Sequence, residues 1–234
     1  MIDPRTDLLL SKSKFAFIQD QGCCGRTANN PADLEWAATK AYLDMTPRTI
    51  KGLGSANNKT RKDIRRLTVA TAGEVATTIA RNTPSGARCQ EAFDEIHRAL
   101  CTDFLNRLNS IFEQRSNEPS ISSQSYGKAQ KLVNMLFKYL SCFSDIDSRS
   151  SWFDLCHIPI DAYVLSWCKK NGIRARASSW SKLSEEDYAM LQERIRVKLA
   201  EGTLSIEGIP LPIRPFDAEF IIWSEQRTRA RTRS

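Results

Sequence analysis

From residue 91 to residue 114, apolar residues recur every three or four positions. An α-helix turns once every 3.6 residues, so this spacing places the apolar residues on one face of a helix. They are Phe93, Ile96, Leu100, Phe104, Leu108 and Ile111. The pattern predicts a helix of about six turns with one buried face. No long alternation of polar and apolar residues occurs along the chain, so we expect an all-α fold.

A second helical segment covers residues 128–143, where apolar residues occupy more than half of the circumference. A helix of this kind is buried on most sides, so we expect it at the centre of the protein. Further helices are predicted over residues 33–44, 59–81, 161–172 and 184–202. The proline-rich segment 209–216 is predicted to be irregular and extended, because proline disrupts helices and central strands.

The length of 234 residues allows one large domain or two smaller ones. We predict an N-terminal helical part over 1–118, a second part over 119–226 and a basic tail over 227–234. One continuous domain is the alternative. Seven cysteines without a repeated C-x2-C spacing indicate reduced thiols and neither a metal site nor a cofactor. The absence of a signal peptide pattern and of a long apolar run predicts a cytoplasmic protein without a membrane partner.

Basic residues exceed acidic ones, and the formal net charge is +7. Part of the excess lies in two clusters. The C-terminal tail contains Arg227, Arg229, Arg231 and Arg233, and the segment KTRKDIRR contains Lys59, Arg61, Lys62, Arg65 and Arg66. Clustered cations favour a polyanionic partner such as DNA, with the KTRKDIRR cations contacting phosphates. A solvated surface and a disordered chain end are the alternatives.

One carboxylate, Asp161, lies inside an apolar run, HIPIDAYVLSW. An ionised carboxylate among apolar residues is costly unless another group stabilises its charge. Asp161 is therefore expected to cap the following helix by accepting a backbone hydrogen bond, or to act as a functional acid. One residue can serve both purposes. His157 lies nearby and is a candidate proton carrier.

The residues before the central helix suggest a second candidate site. We expect Ser125 and Gly127 to turn the chain so that the helix N-terminus faces outward and binds a phosphate. Lys128 and Lys131 would strengthen this site, although both could be ordinary surface lysines. His97 is predicted to face solvent. The polar residues Gln130 and Asn134 are expected to form a core hydrogen bond or to face a cavity.

The order of Gly127 to Lys131, a hydrophobic helix and then Pro159-Ile160-Asp161 resembles the helix-hairpin-helix DNA glycosylase superfamily. The resemblance implies an all-helical fold with a helix-hairpin-helix centre that grips DNA and flips out one nucleotide. It also implies that Asp161 is the essential carboxylate for N-glycosidic bond cleavage, with Lys131 or Lys128 as a Schiff-base lysine. The aromatic residues expected in the base pocket are Trp152, Tyr163, Trp167 and Trp180.

Three further interpretations remain open. The segments YGKAQKLVNMLFKYL and HIPIDAYVL also look like parts of bacterial proteins of unknown function. The chain could be a non-enzymatic helical module that binds nucleic acid through KTRKDIRR, the hairpin and the arginine tail. It could instead be a protein-interaction subunit whose basic tail contacts an acidic partner.

Overall fold

The regular secondary structure of the described residues is almost entirely α-helical, which confirms the predicted fold class. The computed structural model describes residues 3–45, 50, 53, 54, 56–81, 89–113, 124–147 and 152–231. The helices are α1 (Pro4–Gln21), α2 (Pro31–Asp44), α3 (Asn58–Ala80), α4 (Cys89–Glu113), α5 (Tyr126–Leu140), α6 (Trp152–Leu155), α7 (Ala162–Lys170), α8 (Glu185–Ala200) and α9 (Pro215–Arg231). A short 3-10 helix, Trp180–Lys182, precedes α8, and an antiparallel hairpin of β1 (Ser205–Ile206) and β2 (Ile209–Pro210) follows it.

Helix α5 lies at the centre of the protein, as predicted. All of its residues are buried. It packs against α2, α3 and α4, and it also contacts the 3-10 helix and α8. The helices predicted for the N-terminal part and those predicted for the second part therefore surround the same central helix and contribute to one hydrophobic core.

The predicted domain boundaries do not coincide with the ends of described helices. The boundary between residues 118 and 119 lies outside the described residues. The boundary between residues 226 and 227 lies within α9, so Arg227 and Arg229 belong to a helix, whereas Arg233 lies outside the described residues. Helix α9 packs against α1, so the first and last helices of the described chain are neighbours.

One segment near the N-terminus and one near the C-terminus differ from the sequence prediction. Helix α1 was not predicted. It begins after the cap residue Asp3, whose side chain accepts a hydrogen bond from the backbone N–H of Arg5. Gly22, with φ of 73°, caps its C-terminal end. The proline-rich segment is extended only in part, because Pro210 lies in β2 and Pro215 is the first residue of α9. Proline is tolerated there because the first helical N–H has no partner within the helix.

The N-terminus of α5 is covered, so the prediction that it faces outward is wrong. The backbone N–H of Gly127 donates to the carbonyl oxygen of Leu183 at 3.1 Å. The hydroxyl of Ser125 donates to the carbonyl oxygen of Ser181. A Cβ atom at residue 127 would lie 2.1 Å from the carbonyl oxygen of Trp180, so this close approach requires glycine. The helix-hairpin-helix arrangement remains a prediction.

We predict that Gly127→Ala destabilises the protein by about 2 kcal/mol, because the added methyl group must displace the backbone of the 3-10 helix. Gly73→Ala in α3 is the matched control, since a Cβ atom there meets nothing within 4 Å. Alanine favours helices over glycine, so the control should be neutral or more stable by up to about 1 kcal/mol. Urea denaturation followed by circular dichroism measures both, and equal effects of the two substitutions would contradict the prediction.

Candidate functional site

Three lysines on one face of α5 are buried. Lys128, Lys131 and Lys138 are spaced by three and seven residues, which places them on the same side of a helix. Their relative exposures are 3%, 5% and 1%, so the interpretation of Lys128 and Lys131 as ordinary surface residues is wrong. A buried ammonium group is costly without a partner. The partners come from elements that surround α5.

Asp161 is the partner of Lys131 and also the N-cap of α7. The Nζ atom of Lys131 lies 2.8 Å from Oδ2 of Asp161, and the backbone N–H of Val164 donates to Oδ1 at 2.9 Å. Burial alone would raise the pKa of Asp161, but the charge and hydrogen bond of Lys131 outweigh it and the pKa is lowered. Burial would likewise lower the pKa of Lys131, yet Asp161 and Asp44 raise it. Both side chains are therefore ionised.

Lys138 forms a second buried ion pair, with Glu219 of α9. Its Nζ atom also lies over three aromatic rings, at 4.2 Å from the centre of Phe17, 4.5 Å from Phe220 and 5.4 Å from Trp223. Aromatic faces attract cations, and this attraction is larger where water is excluded. Burial lowers the pKa of Lys138, and Glu219 opposes that effect.

Lys128 contacts a backbone carbonyl oxygen and an aromatic ring. Its Nζ atom donates to the carbonyl oxygen of Met45 at 3.0 Å and lies 4.6 Å from the ring centre of Trp180. Burial lowers the pKa of Lys128 to about 8. The pKa of Lys128 is thus shifted in the opposite direction from that of Lys131.

A cleft, which we call the Asp161 cleft, opens where α5, α7, α9 and the end of α2 meet. It has two adjoining lobes of about 630 Å³ and 210 Å³, and Asp161 and Tyr163 line both. Its other principal lining residues are Asp44, Lys131, Lys138, Trp180, Glu219 and Trp223. The Asp161 side chain is 25% exposed and Tyr163 is 57% exposed. The larger lobe lies within the size range of small-molecule sites.

The structure brings together four of the predicted site residues. Asp161, Lys131, Tyr163 and Trp180 line the cleft, and Lys128 lies against the ring of Trp180. Their elements are far apart in the sequence, and the packing of α5 against the 3-10 helix and of α7 against α9 joins them.

Other predicted residues lie elsewhere. Trp152 and Trp167 belong to the hydrophobic core, where they are 2% and 4% exposed, so they do not fit the role of base pocket. Gly127 and Lys128 are buried, and the hydroxyl of Ser125 donates to the carbonyl oxygen of Ser181. These three residues therefore present little surface to a phosphate, contrary to the prediction, because segment 180–183 covers the end of α5.

Sequence reasoning missed Asp44, Lys138, Glu219 and Trp223 of the cleft. One signal was present in the sequence, since three lysines recur on one face of an otherwise apolar helix. A buried stripe of lysines requires acidic partners. The partners themselves could not be identified, because they lie on α2, α7 and α9.

The predicted basic cluster is exposed and lies at the start of α3. Its members are Lys59, Arg61, Lys62, Arg65 and Arg66. Arg65 pairs with Glu35 of α2. Arg61 lies near Tyr42 of α2, because its charge opposes the rise in pKa that burial causes at Tyr42. Helices α2 and α3 thus run antiparallel, which places the start of α3 beside the end of α2 that carries Asp44.

Two glutamine side chains hold the segment that precedes Asp161. Gln130 of α5 accepts from the N–H of Ile160 at 3.1 Å and donates to its carbonyl oxygen at 2.8 Å. Gln192 of α8 makes the same pair of contacts with Ile158, at 3.3 Å and 2.7 Å. The buried backbone polar groups of this extended segment are thereby satisfied without a neighbouring strand. The position of Asp161 follows from these contacts.

A buried hydrogen-bond chain extends from Gln130. Asn134 donates to Gln130 at 3.1 Å and to the hydroxyl of Tyr188 at 2.8 Å. His157 Nδ1 lies 2.8 Å from the same hydroxyl. The other ring nitrogen, Nε2, lies 2.7 Å from Oδ1 of Asp94. A carboxylate only accepts, so Nε2 donates to Asp94, and Nδ1 accepts from Tyr188. The predicted core hydrogen bond of Gln130 and Asn134 is confirmed.

His97 belongs to the same chain, so the prediction that it faces solvent is wrong. It is 1% exposed, and its Nε2 lies 3.0 Å from Oδ1 of Asn134. Burial lowers the pKa of His97 well below its ordinary value and also lowers the pKa of His157. A cavity of about 720 Å³ lies on this side of the segment, lined by Asp94, His157 and Tyr188 among others.

Among the described residues, no group of three or more histidine, cysteine or acidic side chains is arranged to hold a metal ion. The helices of these residues also contain no stretch of sufficient length and apolarity to cross a membrane.

We predict that Lys131→Met destabilises the protein by about 2–3 kcal/mol, because it leaves the charge of Asp161 without its lysine. The double variant Lys131→Met/Asp161→Asn should be less destabilised than the sum of the two single variants, since no unpaired charge remains. Arg176→Met is the control, because it removes an exposed ion pair with Glu186 and should change stability by about 0.5 kcal/mol or less. Additive effects in a denaturation cycle would contradict the prediction.

We predict that the free energy of unfolding falls as the pH decreases from 7.5 to 5.5. The pKa values of His97 and His157 are lowered in the folded protein, so the unfolded chain takes up protons first, below pH about 6.5. The slope approaches about 1.4 kcal/mol per pH unit for each histidine.

The chain contains two histidines, so His97→Gln should halve this slope. Glutamine at this position keeps a donor for Asn134 and does not titrate. Urea denaturation at several pH values measures the slope. An unchanged slope in the variant would show that His97 is not the titrating group.

A scan against protein-family models finds no match to this chain, and searches of curated proteins and of solved structures find none either. The resemblance to the helix-hairpin-helix glycosylases therefore stays a prediction.

Proposed function

We propose that the protein interacts with nucleic acid, accepts one unstacked base in the Asp161 cleft and cleaves its N-glycosidic bond. One observation carries the proposal: Asp161 is an ionised carboxylate, fixed by two hydrogen bonds, at the wall of a cleft with aromatic sides. The position of such a carboxylate changes little when a substrate binds.

A fixed carboxylate suits the chemistry of base release. Cleavage of the bond between C1′ of the sugar and the base nitrogen develops positive charge on the sugar. A preorganised negative charge stabilises this transition state without rearrangement. A water molecule then supplies the hydroxyl that joins C1′ and the proton that the departing base gains. The lowered pKa of Asp161 favours the ionised form that this role requires.

The contacts of the two lysines favour hydrolysis by water over attack by an amine. An amine attacks only when it is neutral, and the pKa of Lys131 is raised by its acidic neighbours. Lys128 has a lowered pKa, but it is buried against Trp180 and donates to the carbonyl oxygen of Met45. In this proposal Lys131 holds Asp161, and neither lysine forms a Schiff base.

The aromatic residues of the cleft support binding of a base. Tyr163, Trp180 and Trp223 line it together with the carboxylate. Stacking of a base on an aromatic ring contributes about 1–3 kcal/mol, which offsets part of the few kcal/mol that unstacking costs. The exposed cations at the start of α3 suit contacts with phosphates of a nucleic acid.

The proposal predicts that Asp161→Asn lowers the rate of base release by about 100-fold or more, since the charge that stabilises the transition state is lost. Asparagine keeps the size of the side chain and can still cap α7. The measurement is mass spectrometry of free bases released from single-stranded and duplex oligonucleotides that carry a panel of modified bases.

Asp145→Asn is the matched control. Asp145 also accepts backbone hydrogen bonds, from Ala28 at 2.7 Å and Asn29 at 3.1 Å, and it lies outside the cleft. This variant should retain full activity. Equal release by Asp161→Asn and wild type would contradict the role of Asp161. Binding of the oligonucleotides without any release would exclude catalysis and favour the non-enzymatic binding module.

A further inference from the structure

A second groove, which we call the α7 groove, continues from the Asp161 cleft. It lies between α7 and residues 172–178 and encloses about 790 Å³. On the α7 side, Leu165 and Ser166 of the groove follow Ala162 and Tyr163 of the cleft. On the other side, Ser178 of the groove precedes Ser179 of the cleft. A ligand in the cleft could therefore extend along α7.

The charge of the α7 groove is positive. Lys169 and Arg174 line it, and no acidic residue does. Both cations are exposed, and neither forms an ion pair with any described residue. This distinguishes the groove from the Asp161 cleft, where each lysine of the lining is paired with a carboxylate.

The segment 174–179, part of which lines the groove, also carries backbone N–H donors. Within the part of the chain that the structure describes, none of the backbone N–H groups of residues 174–179 donates to another group of the protein. Glycine, alanine and serine account for most of the lining, so most side chains at the groove are small. Cationic side chains and backbone N–H groups are the donors that proteins use for the phosphates of nucleic acids.

We propose that the α7 groove binds the sugar-phosphate backbone of the nucleic-acid strand whose base lies in the Asp161 cleft. The inference rests on the proposed function and adds the path of the strand. The groove contacts the strand that carries the unstacked base, because that base is flanked by phosphates of its own strand. These contacts are independent of base identity, as phosphate contacts carry no sequence information.

The experiment measures the binding of a fluorescent 15-nucleotide oligothymidylate by anisotropy, at several salt concentrations. Lys169→Gln/Arg174→Gln removes two phosphate contacts. The slope of log Kobs against log salt should then become shallower by about 1.4, because each phosphate contact on a single strand contributes about 0.7. Affinity at low salt should fall by about tenfold, and by the same factor for an oligoadenylate.

Arg5→Gln/Lys12→Gln on α1 is the charge-matched control and should leave both the slope and the affinity unchanged. Lys12 is exposed, and Arg5 forms an exposed ion pair with Asp3. All four substituted side chains lie at the surface, so unfolding midpoints in urea should agree with the wild type and exclude misfolding as the cause.

The possible outcomes separate this inference from the proposed function. If release of bases depends on Asp161 while the groove variant keeps the wild-type salt slope, the proposed role of the α7 groove is overturned and the proposed chemistry of the cleft stands. If the groove variant has the shallower slope but no base is released, the groove stands and the catalytic role of the cleft falls. If the wild-type protein does not bind the oligothymidylate at low salt, both are overturned.

Discussion

Three lysine side chains inside the protein determine how the helices are arranged around α5. Each ammonium group must be compensated, because an unpaired buried charge costs several kcal/mol, a large share of the free energy by which proteins are stable. Lys131 is compensated by the carboxylate that caps α7, Lys138 by Glu219 of α9, and Lys128 by a carbonyl oxygen and an aromatic ring. The Asp161 cleft is the space between these partners, so its lining is a consequence of the same constraint.

The segment from His157 to Asp161 connects two environments of the protein. On one side His157 belongs to a buried hydrogen-bond chain that includes Tyr188 and Asn134. On the other side Asp161 is part of the charged cleft. Gln130 contacts both, because it accepts from Asn134 and from the N–H of Ile160. Polar groups buried in this way specify a single arrangement only when all of them are satisfied, and every buried side-chain polar atom of the described residues has a partner.

The distribution of charge separates the interior of the cleft from its surroundings. Inside, the lysines are paired with carboxylates, and the lining suits a base better than a phosphate. Outside, exposed cations lie at the start of α3 and in the α7 groove. An anionic polymer would be attracted to these surfaces and not to the carboxylates of the cleft, because like charges repel. This division is compatible with a ligand that places its base inside the cleft and its phosphates outside.

The sequence alone determined the class of the fold, the approximate bounds of α2, α3, α4, α5, α7 and α8, and the capping of α7 by Asp161. These features depend on residues within about four positions of one another, through helical periodicity and local hydrogen bonds. The tertiary structure decided that the lysines of α5 are buried, that His97 is internal and that Trp152 and Trp167 belong to the core. It also decided which acids pair with the lysines, since Lys131 and Asp161 are 30 residues apart and Lys138 and Glu219 are 81 apart. Periodicity shows that a helical face is buried, but the group that contacts this face depends on the packing of elements distant in the chain.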